Sequence, residues 1–331
     1  MNKRLSIAIR LLLGGAAVWA VIRELHDVQL TQLGHQLSGL RPWQYALGAF
    51  AMVASFLLLG VVEWMALRSA DGEAGARVPL ATAMRTGFVA NALSQSIGLA
   101  VLTGAGVRVR AYARYGLDSV AVAQATAFVT ITATLGLLAA GAVAVFGDGA
   151  PVDVGHVALA AVPMALVLGG IVVAYLCWSV NGRPDAIGWR RWRIPRPKPL
   201  LALGQTTISA LDWLLTGAVL YAFMPRHQGL GLGLVLGAYM VAQVVAVTSH
   251  VPAGAGVFEL LVVAILLRVD PTAPRAALAA ALVMFRVVYY VIPLCVALVM
   301  AAAREFARRN ASVVMAFDRG VATSAALDPA G

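Results

Sequence analysis

Apolar residues run through this chain in blocks separated by short polar connectors. Residues 5 to 22, 43 to 67, 119 to 146, 154 to 178, 200 to 223 and 276 to 302 are each long and apolar enough to cross a bilayer core as a helix. Two further apolar stretches are interrupted. Residues 82 to 101 carry Arg85, Asn91, Ser94, Gln95 and Ser96, too polar for a lipid-facing helix, and lead into Gly104-Ala105-Gly106; residues 230 to 250 and 256 to 268 flank Pro252-Ala253-Gly254-Ala255-Gly256. This pattern predicts two helical hairpins that turn at Gly104 and Gly106, and at Pro252, Gly254 and Gly256. Broken backbone at membrane depth is tolerated only when packed in protein or lining a wet cavity.

The breaks are related. Gly-Ala-Gly-Val occurs at 104–107 and again at 254–257, and Glu63-Trp64 and Asp212-Trp213 repeat at nearly the same offset. Two matched features in one order predict an internal repeat with halves at about 43–146 and 200–302. The expected fold is therefore all-α: a polytopic membrane protein of about six full transmembrane helices plus two re-entrant hairpins. Residues 303 to 331 form a small, polar tail expected to be partly disordered.

Charge sets the orientation. Arg68, Arg77 and Arg85 surround the exit of the second span, and six basic residues between 183 and 198 face only Asp185. Arg304, Arg308 and Arg309 follow the last span, whereas the Asp148 to Asp153 connector has no Lys or Arg. The positive-inside rule then puts both termini in the cytoplasm. Under that assignment the first hairpin enters from the cytoplasm and the second from outside, an inverted-topology repeat, and such folds place the substrate path where the halves meet.

Composition narrows the function. Of 331 residues, 61% are hydrophobic and 12% charged, with mean hydropathy +0.84, so any activity is carried out in or at a membrane. The net charge of +10 lies in short connectors, which points to topology and anionic lipid rather than to nucleic acid. Cys177 and Cys295 sit inside apolar runs without paired spacing and read as ordinary buried residues. The Gly104 region lacks the Gly-Lys-Ser/Thr ending of a nucleotide loop, and no His or Cys spacing suggests a metal, so no cofactor is expected. Ser249-His250 has no orienting acid and reads as non-catalytic.

Glu63, Asp212, Glu259 and Arg286 are predicted at membrane depth, where each charge costs about 2.5–3.5 kcal/mol at a helix centre on insertion scales. Each should face an interior or a wet path and find a partner. Glu259 is the first candidate partner for Arg286, and Asp212 the second. Arg108, Arg110 and Arg85, with the amides around Gly104 and Gly106, could bind a lipid phosphate, since Arg matches phosphate geometry bidentately. Asn91 and Gln95 would add polar lining. For the ion pairs the competing reading is a purely structural lock, and for the arginines it is topology alone.

Leu102-Thr103-Gly104-Ala105-Gly106-Val107-Arg108-Val109-Arg110-Ala111-Tyr112, followed by Gly116-Leu117, resembles the first signature of the membrane region of lysylphosphatidylglycerol synthase/flippases, the multiple peptide resistance factors. Val251 through Glu259 resembles the second, with Ala253 where Gly is more usual. Phe285-Arg286 through Tyr289-Tyr290 and Pro293 resembles the third. The resemblance implies a flippase-like protein of the bacterial inner membrane that moves aminoacylated phosphatidylglycerol or a related lipid, hopanoids included, between leaflets. It also implies a homodimer and a separate lipid-modifying enzyme as partners. The soluble aminoacyl-transfer domain has no counterpart in this sequence, so a stand-alone transporter is expected. An intramembrane enzyme acting on a lipid or polyprenyl carrier, or a non-transporting scaffold subunit, are the alternatives.

Overall fold

The computed structural model describes residues 39–303, apart from 98–99, 149–151, 155–156, 160, 182–185, 190–191, 228, 249–253 and 255. The expected first span at 5–22, the tail beyond 303, Ser249-His250 and Pro252 lie outside the described residues.

The fold is helical. Helix α1 (Pro42–Ala70) starts on Pro42, whose missing N–H costs nothing at a first helical position, and the Gln44 side chain accepts from Arg41 N at 3.0 Å. It ends at Asp71, which then caps the short α2 (Gly72–Ala76) by accepting from Glu73 N and Ala74 N. Helices α3 (Leu80–Ile97) and α4 (Ala100–Tyr112) follow, then a 3-10 turn closed by Gly116, and α5 (Ser119–Asp148), capped by Asp118. The antiparallel ribbon β1 (Val152–Val154) and β2 (Val157–Leu159) leads to α6 (Ala161–Asn181). A second ribbon, β3 (Ala186–Trp189) with β4 (Trp192–Pro195), occupies the basic connector, pairing Trp189 with Trp192. Then come α7 (Pro199–Phe223), α8 (Leu232–Thr248), α9 (Val257–Val269) and α10 (Arg275–Ala303), whose Val287–Val291 segment is π-helical.

Among the described residues four helices, α1, α5, α7 and α10, are long and apolar enough to cross a membrane. The order long, short, short, long occurs twice, as α1, α3, α4, α5 and as α7, α8, α9, α10. Helices α1 and α7 make the most extensive contact and run antiparallel. Gln44 donates to Ala222 O at 2.8 Å, Ser55 meets Asp212 further along, and at the other end a Cβ on Gly204 would lie 3.8 Å from Met65 Cε. Helix α5 joins α7 through Trp213 Nε1, which donates to Ala133 O at 2.8 Å, and α6 joins it through a Gln205–Tyr175 hydrogen bond.

The polarity is arranged as a bilayer demands. Phe50, Val53 and Leu57 of α1 and Leu166, Val167 and Val173 of α6 point outward, while Ser55, Glu63, Arg108, Ser209, Asp212, Thr216 and Arg286 are buried. Cys177 and Cys295, expected to be buried, are exposed on the helix surface, because an apolar neighbourhood in this chain is compatible with the lipid-facing side. An aromatic column of Tyr239, Phe258, Phe285 and Tyr289 fills the centre between α8, α9 and α10, with Phe285 and Tyr289 stacked at 5.8 Å.

Candidate functional site

Three polar stations occupy the interior. At the first, Glu63 of α1 meets Arg108 and Tyr112 of α4. Arg108 Nε donates to both carboxylate oxygens at 2.9 and 3.0 Å, Nη2 donates to Oε2 at 2.7 Å, and Tyr112 OH donates to Oε1 at 2.9 Å. Glu63 and Tyr112 are fully enclosed and Arg108 is 3% exposed. Arg108 and Tyr112 stand one helical turn apart, so a single face of α4 supplies both donors. Small residues allow this approach. A Cβ on Gly87 would lie 3.0 Å from Glu63 Cβ, and one on Gly104 would lie 2.6 Å from Ser94 Oγ and 2.9 Å from Arg108 Nη1.

Gly104 and Gly106 were expected to form the turn of the first hairpin; they lie inside α4 instead. Helix α4 begins at Ala100, so the amides of Gly104 and Gly106 are within the helix ladder and Gly104 acts by its missing side chain. Arg85 and Arg110 are exposed and do not converge with the buried Arg108. The anticipated cluster of three arginines around a glycine turn is thus replaced by one arginine locked to a carboxylate. Asn91 Nδ2 donates back to Gly87 O at 2.9 Å within its own helix, and Gln95 Oε1 is buried with no hydrogen bond among the described residues.

At the second station Arg286 of α10 meets Glu259 of α9, its first expected partner. Nε and Nη2 both approach Oε1 at 2.6 Å, and Glu259 Oε2 accepts from Gly256 N at 2.8 Å. The guanidinium also lies 4.7 Å from the Tyr290 ring centre and 5.3 Å from that of Phe258, within cation–π range. Here the glycines do break the helix: Gly254 and Gly256 have φ of 64° and 81°. They set the start of α9, so that Glu259 reaches back over its first turn.

The third station was not visible as a group in the sequence. Asp212 of α7 accepts from Ser55 Oγ of α1 at 2.5 Å; Ser55 Oγ lies 2.8 Å from Tyr289 OH, and Thr216 Oγ1 lies 2.9 Å from both Tyr289 OH and Asp212 O. All four side chains are buried. Signals existed at i,i+4 for Asp212 and Thr216, and at two turns for Ser55 and Glu63, but hydroxyls in apolar helices ordinarily bond their own backbone.

A cavity of about 270 Å³ opens where the start of α1, the end of α7 and the first turns of α10 converge, lined by Arg41, Gln44, Phe223, Arg226, Ala281 and Met284. Arg226 stacks over Trp43 at 4.9 Å.

Acids set inside the helical bundle, each joined to arginine or hydroxyls within a twice-repeated order, fit a membrane family whose model matches residues 7–297: lysylphosphatidylglycerol synthase TM region. The chain belongs to this family. Among its relatives, the uncharacterized protein slr0712 of Synechocystis is 31% identical over 84% of each chain, and the inner membrane protein YbhN of Escherichia coli is 27% identical over 85% of this chain and 82% of its own. The phosphatidylglycerol lysyltransferase of Staphylococcus haemolyticus is 23% identical over 86% of this chain but only 32% of its own length. Membership of the lysylphosphatidylglycerol synthase TM family makes the chain a membrane protein and is consistent with a lipid-related function.

Proposed function

We propose that the protein translocates a phospholipid, of the aminoacylated phosphatidylglycerol type or related to it, across the bacterial inner membrane. In this reading six helices cross fully, α3–α4 and α8–α9 form re-entrant pairs, and the two halves are inverted repeats. The antiparallel run of α1 and α7, which occupy equivalent places in the two halves, supports the inversion.

The observation that carries the proposal is the pair of interior Arg–carboxylate contacts, one in each half: Arg108–Glu63, fully buried, and Arg286–Glu259, in which Arg286 is buried and Glu259 half-buried. An aminoacylated headgroup carries a phosphate and at least one amine. Its phosphate can take an arginine in bidentate fashion while its amine takes the released carboxylate, so charges stay paired as the headgroup enters. The acyl chains remain in lipid beside α5 and α6. The cavity flanked by Arg41 and Arg226 is the exit on the outer side, with Arg226 and Trp43 at the interface. Partners in this scheme are the lipid, a second copy of the chain, and a separate lipid-modifying enzyme.

The test is a leaflet-accessibility assay in proteoliposomes with fluorescent and aminoacylated phosphatidylglycerols. Wild type is expected to speed equilibration between leaflets, and folded Arg286→Ala, Glu259→Gln and Arg108→Gln variants to lose that effect. No acceleration by wild type with any anionic, aminoacylated or hopanoid lipid refutes the proposal and favours an enzyme or a scaffold.

A further inference from the structure

The Asp212 station differs from the other two because its carboxylate is buried against hydroxyls, with no cationic side chain in the cluster among the described residues. The repeat shows why. Glu63 and Asp212 occupy equivalent places on α1 and α7, yet the position equivalent to Arg108 is Phe258, and the arginine of the second half, Arg286, is tied to Glu259. A carboxylate at membrane depth without a counter-charge calls for a bound cation. Successive oxygens of the cluster lie 2.5 to 2.9 Å apart and the remaining Ser55–Thr216 pair 3.4 Å apart, hydrogen-bond spacing that leaves no room for a metal ion with a ligand shell among them.

The cluster accommodates a proton without moving a heavy atom. With Asp212 ionised, Thr216 donates to Tyr289, Tyr289 to Ser55 and Ser55 to the carboxylate, so three hydroxyl hydrogens fill three contacts. With Asp212 protonated, every bond reverses: the carboxylic acid donates to Ser55, Ser55 to Tyr289, Tyr289 to Thr216, and Thr216 to Asp212 O, its 2.9 Å neighbour. Four hydrogens then fill four contacts. The added proton resides on a carboxylate oxygen of Asp212, which becomes neutral, and no other bond forms or breaks.

The titratable groups facing this station are few. Tyr289 of α10 is in the chain and Tyr239 of α8 lies within electrostatic reach. Arg286, one turn before Tyr289, is held by Glu259; Glu63, two turns beyond Ser55 on α1, is held by Arg108; Tyr175 of α6 meets α7 at Gln205. Helix α5 has no titratable residue between 119 and 147.

We propose that Asp212, with Ser55, Tyr289 and Thr216, is a proton-binding site at the contact between the two halves, through which lipid movement is coupled to a pH gradient. The location supports coupling, because Ser55, Asp212 and Tyr289 come from α1, α7 and α10, and any sliding of one half against the other opens the relay. The coupling rests on the translocation proposed above; the proton site does not.

Two measurements separate them. Infrared difference spectra of the purified full-length protein, recorded on acidification, are expected to show a buried carboxylic acid band that is absent from folded Asp212→Asn. In Thr216→Val, which keeps its shape but removes one link, the band is expected to persist with a shifted titration midpoint. In proteoliposomes, an imposed pH gradient is expected to change the lipid translocation rate of wild type, and rates with and without the gradient are expected to become equal in Asp212→Asn. Lipid movement without an Asp212 band overturns the proton site and the coupling through it, and leaves the proposed function standing. A titrating band in a protein that moves no lipid overturns the coupling and the proposed function together. A band with a gradient response that survives in Asp212→Asn overturns the coupling.

Discussion

Removing the charge of Glu63 while keeping its shape puts the first station to a quantitative test. In wild type the carboxylate accepts three contacts from Arg108 and one from Tyr112, and Arg108 is 3% exposed. Glu63→Gln leaves that guanidinium buried without a counter-charge, and breaking one side of a buried pair costs about 3–5 kcal/mol. At 1.4 kcal/mol per decade this amounts to about two to three and a half orders of magnitude in the folded-to-unfolded ratio. Arg108→Gln should cost a similar amount by stranding the carboxylate. The double variant Glu63→Gln/Arg108→Gln has no charge left to strand, so its loss should fall well short of the sum, with a coupling energy of about 2–4 kcal/mol. The assay is a double-mutant cycle on reversible unfolding in mixed micelles with increasing SDS. Single variants that each lose under about 1 kcal/mol, with an additive double, would refute the argument that this is a dry, mutually dependent pair.

Other expectations follow from the packing and the loops. Gly104→Ala drives a methyl group to 2.6 Å from Ser94 Oγ, so it should destabilise by about 1–3 kcal/mol despite the better helix propensity of alanine, and Ser94→Ala should recover part of the loss in the same unfolding assay. Asp270, outside the spans, has its pKa lowered by hydrogen bonds from Thr272 and by His227, which lies 2.5 Å away. Because the folded-state value is depressed, its contribution is present above the unfolded carboxyl pKa of about 3.9 and is lost as pH falls through the folded value. Asp270→Asn should therefore flatten the acid limb of a stability-against-pH curve, and an unchanged limb would count against the contact. In a background lacking Cys177 and Cys295, a cysteine at Glu73 should react with impermeant maleimide only from the cytoplasmic side, and one at Arg226 only from outside. The reverse pattern would overturn the assigned orientation, and labelling of both from the same side would overturn the inverted arrangement.

The pairing of Arg286 with Glu259 was legible because an arginine at membrane depth demands an acid, and Glu259 heads the preceding helix. The pairing of Arg108 with Glu63 was not. Placing the first break at Gly104 put Arg108 beyond the turn with Arg110, whereas a helix beginning at Ala100 turns Arg108 and Tyr112 toward α1. Apolar run length located the long helices within a few residues, since hydrophobic length is what the bilayer selects. The Ser55–Asp212–Tyr289 cluster escaped because hydroxyl partners come from three helices and only tertiary packing decides that they meet. The ribbon between Ala186 and Pro195 lies in the basic connector, where charge fixes the side of the membrane and leaves the backbone pairing open.

The tetrapeptide Gly-Ala-Gly-Val is spelled identically at 104–107 and 254–257, yet it is helix in one place and a left-handed bend in the other. Its two copies should thus tolerate mutation in opposite ways. Gly106 is helical, with open space where a Cβ would go, so alanine there should be neutral or gain about 0.5–1 kcal/mol. Gly256, at φ 81°, would pay about 1–2 kcal/mol for the same methyl group. A saturation scan should accordingly find one copy permissive and the other restricted. Identical letters in such a chain impose no common shape, because the backbone each copy adopts is decided by its neighbours.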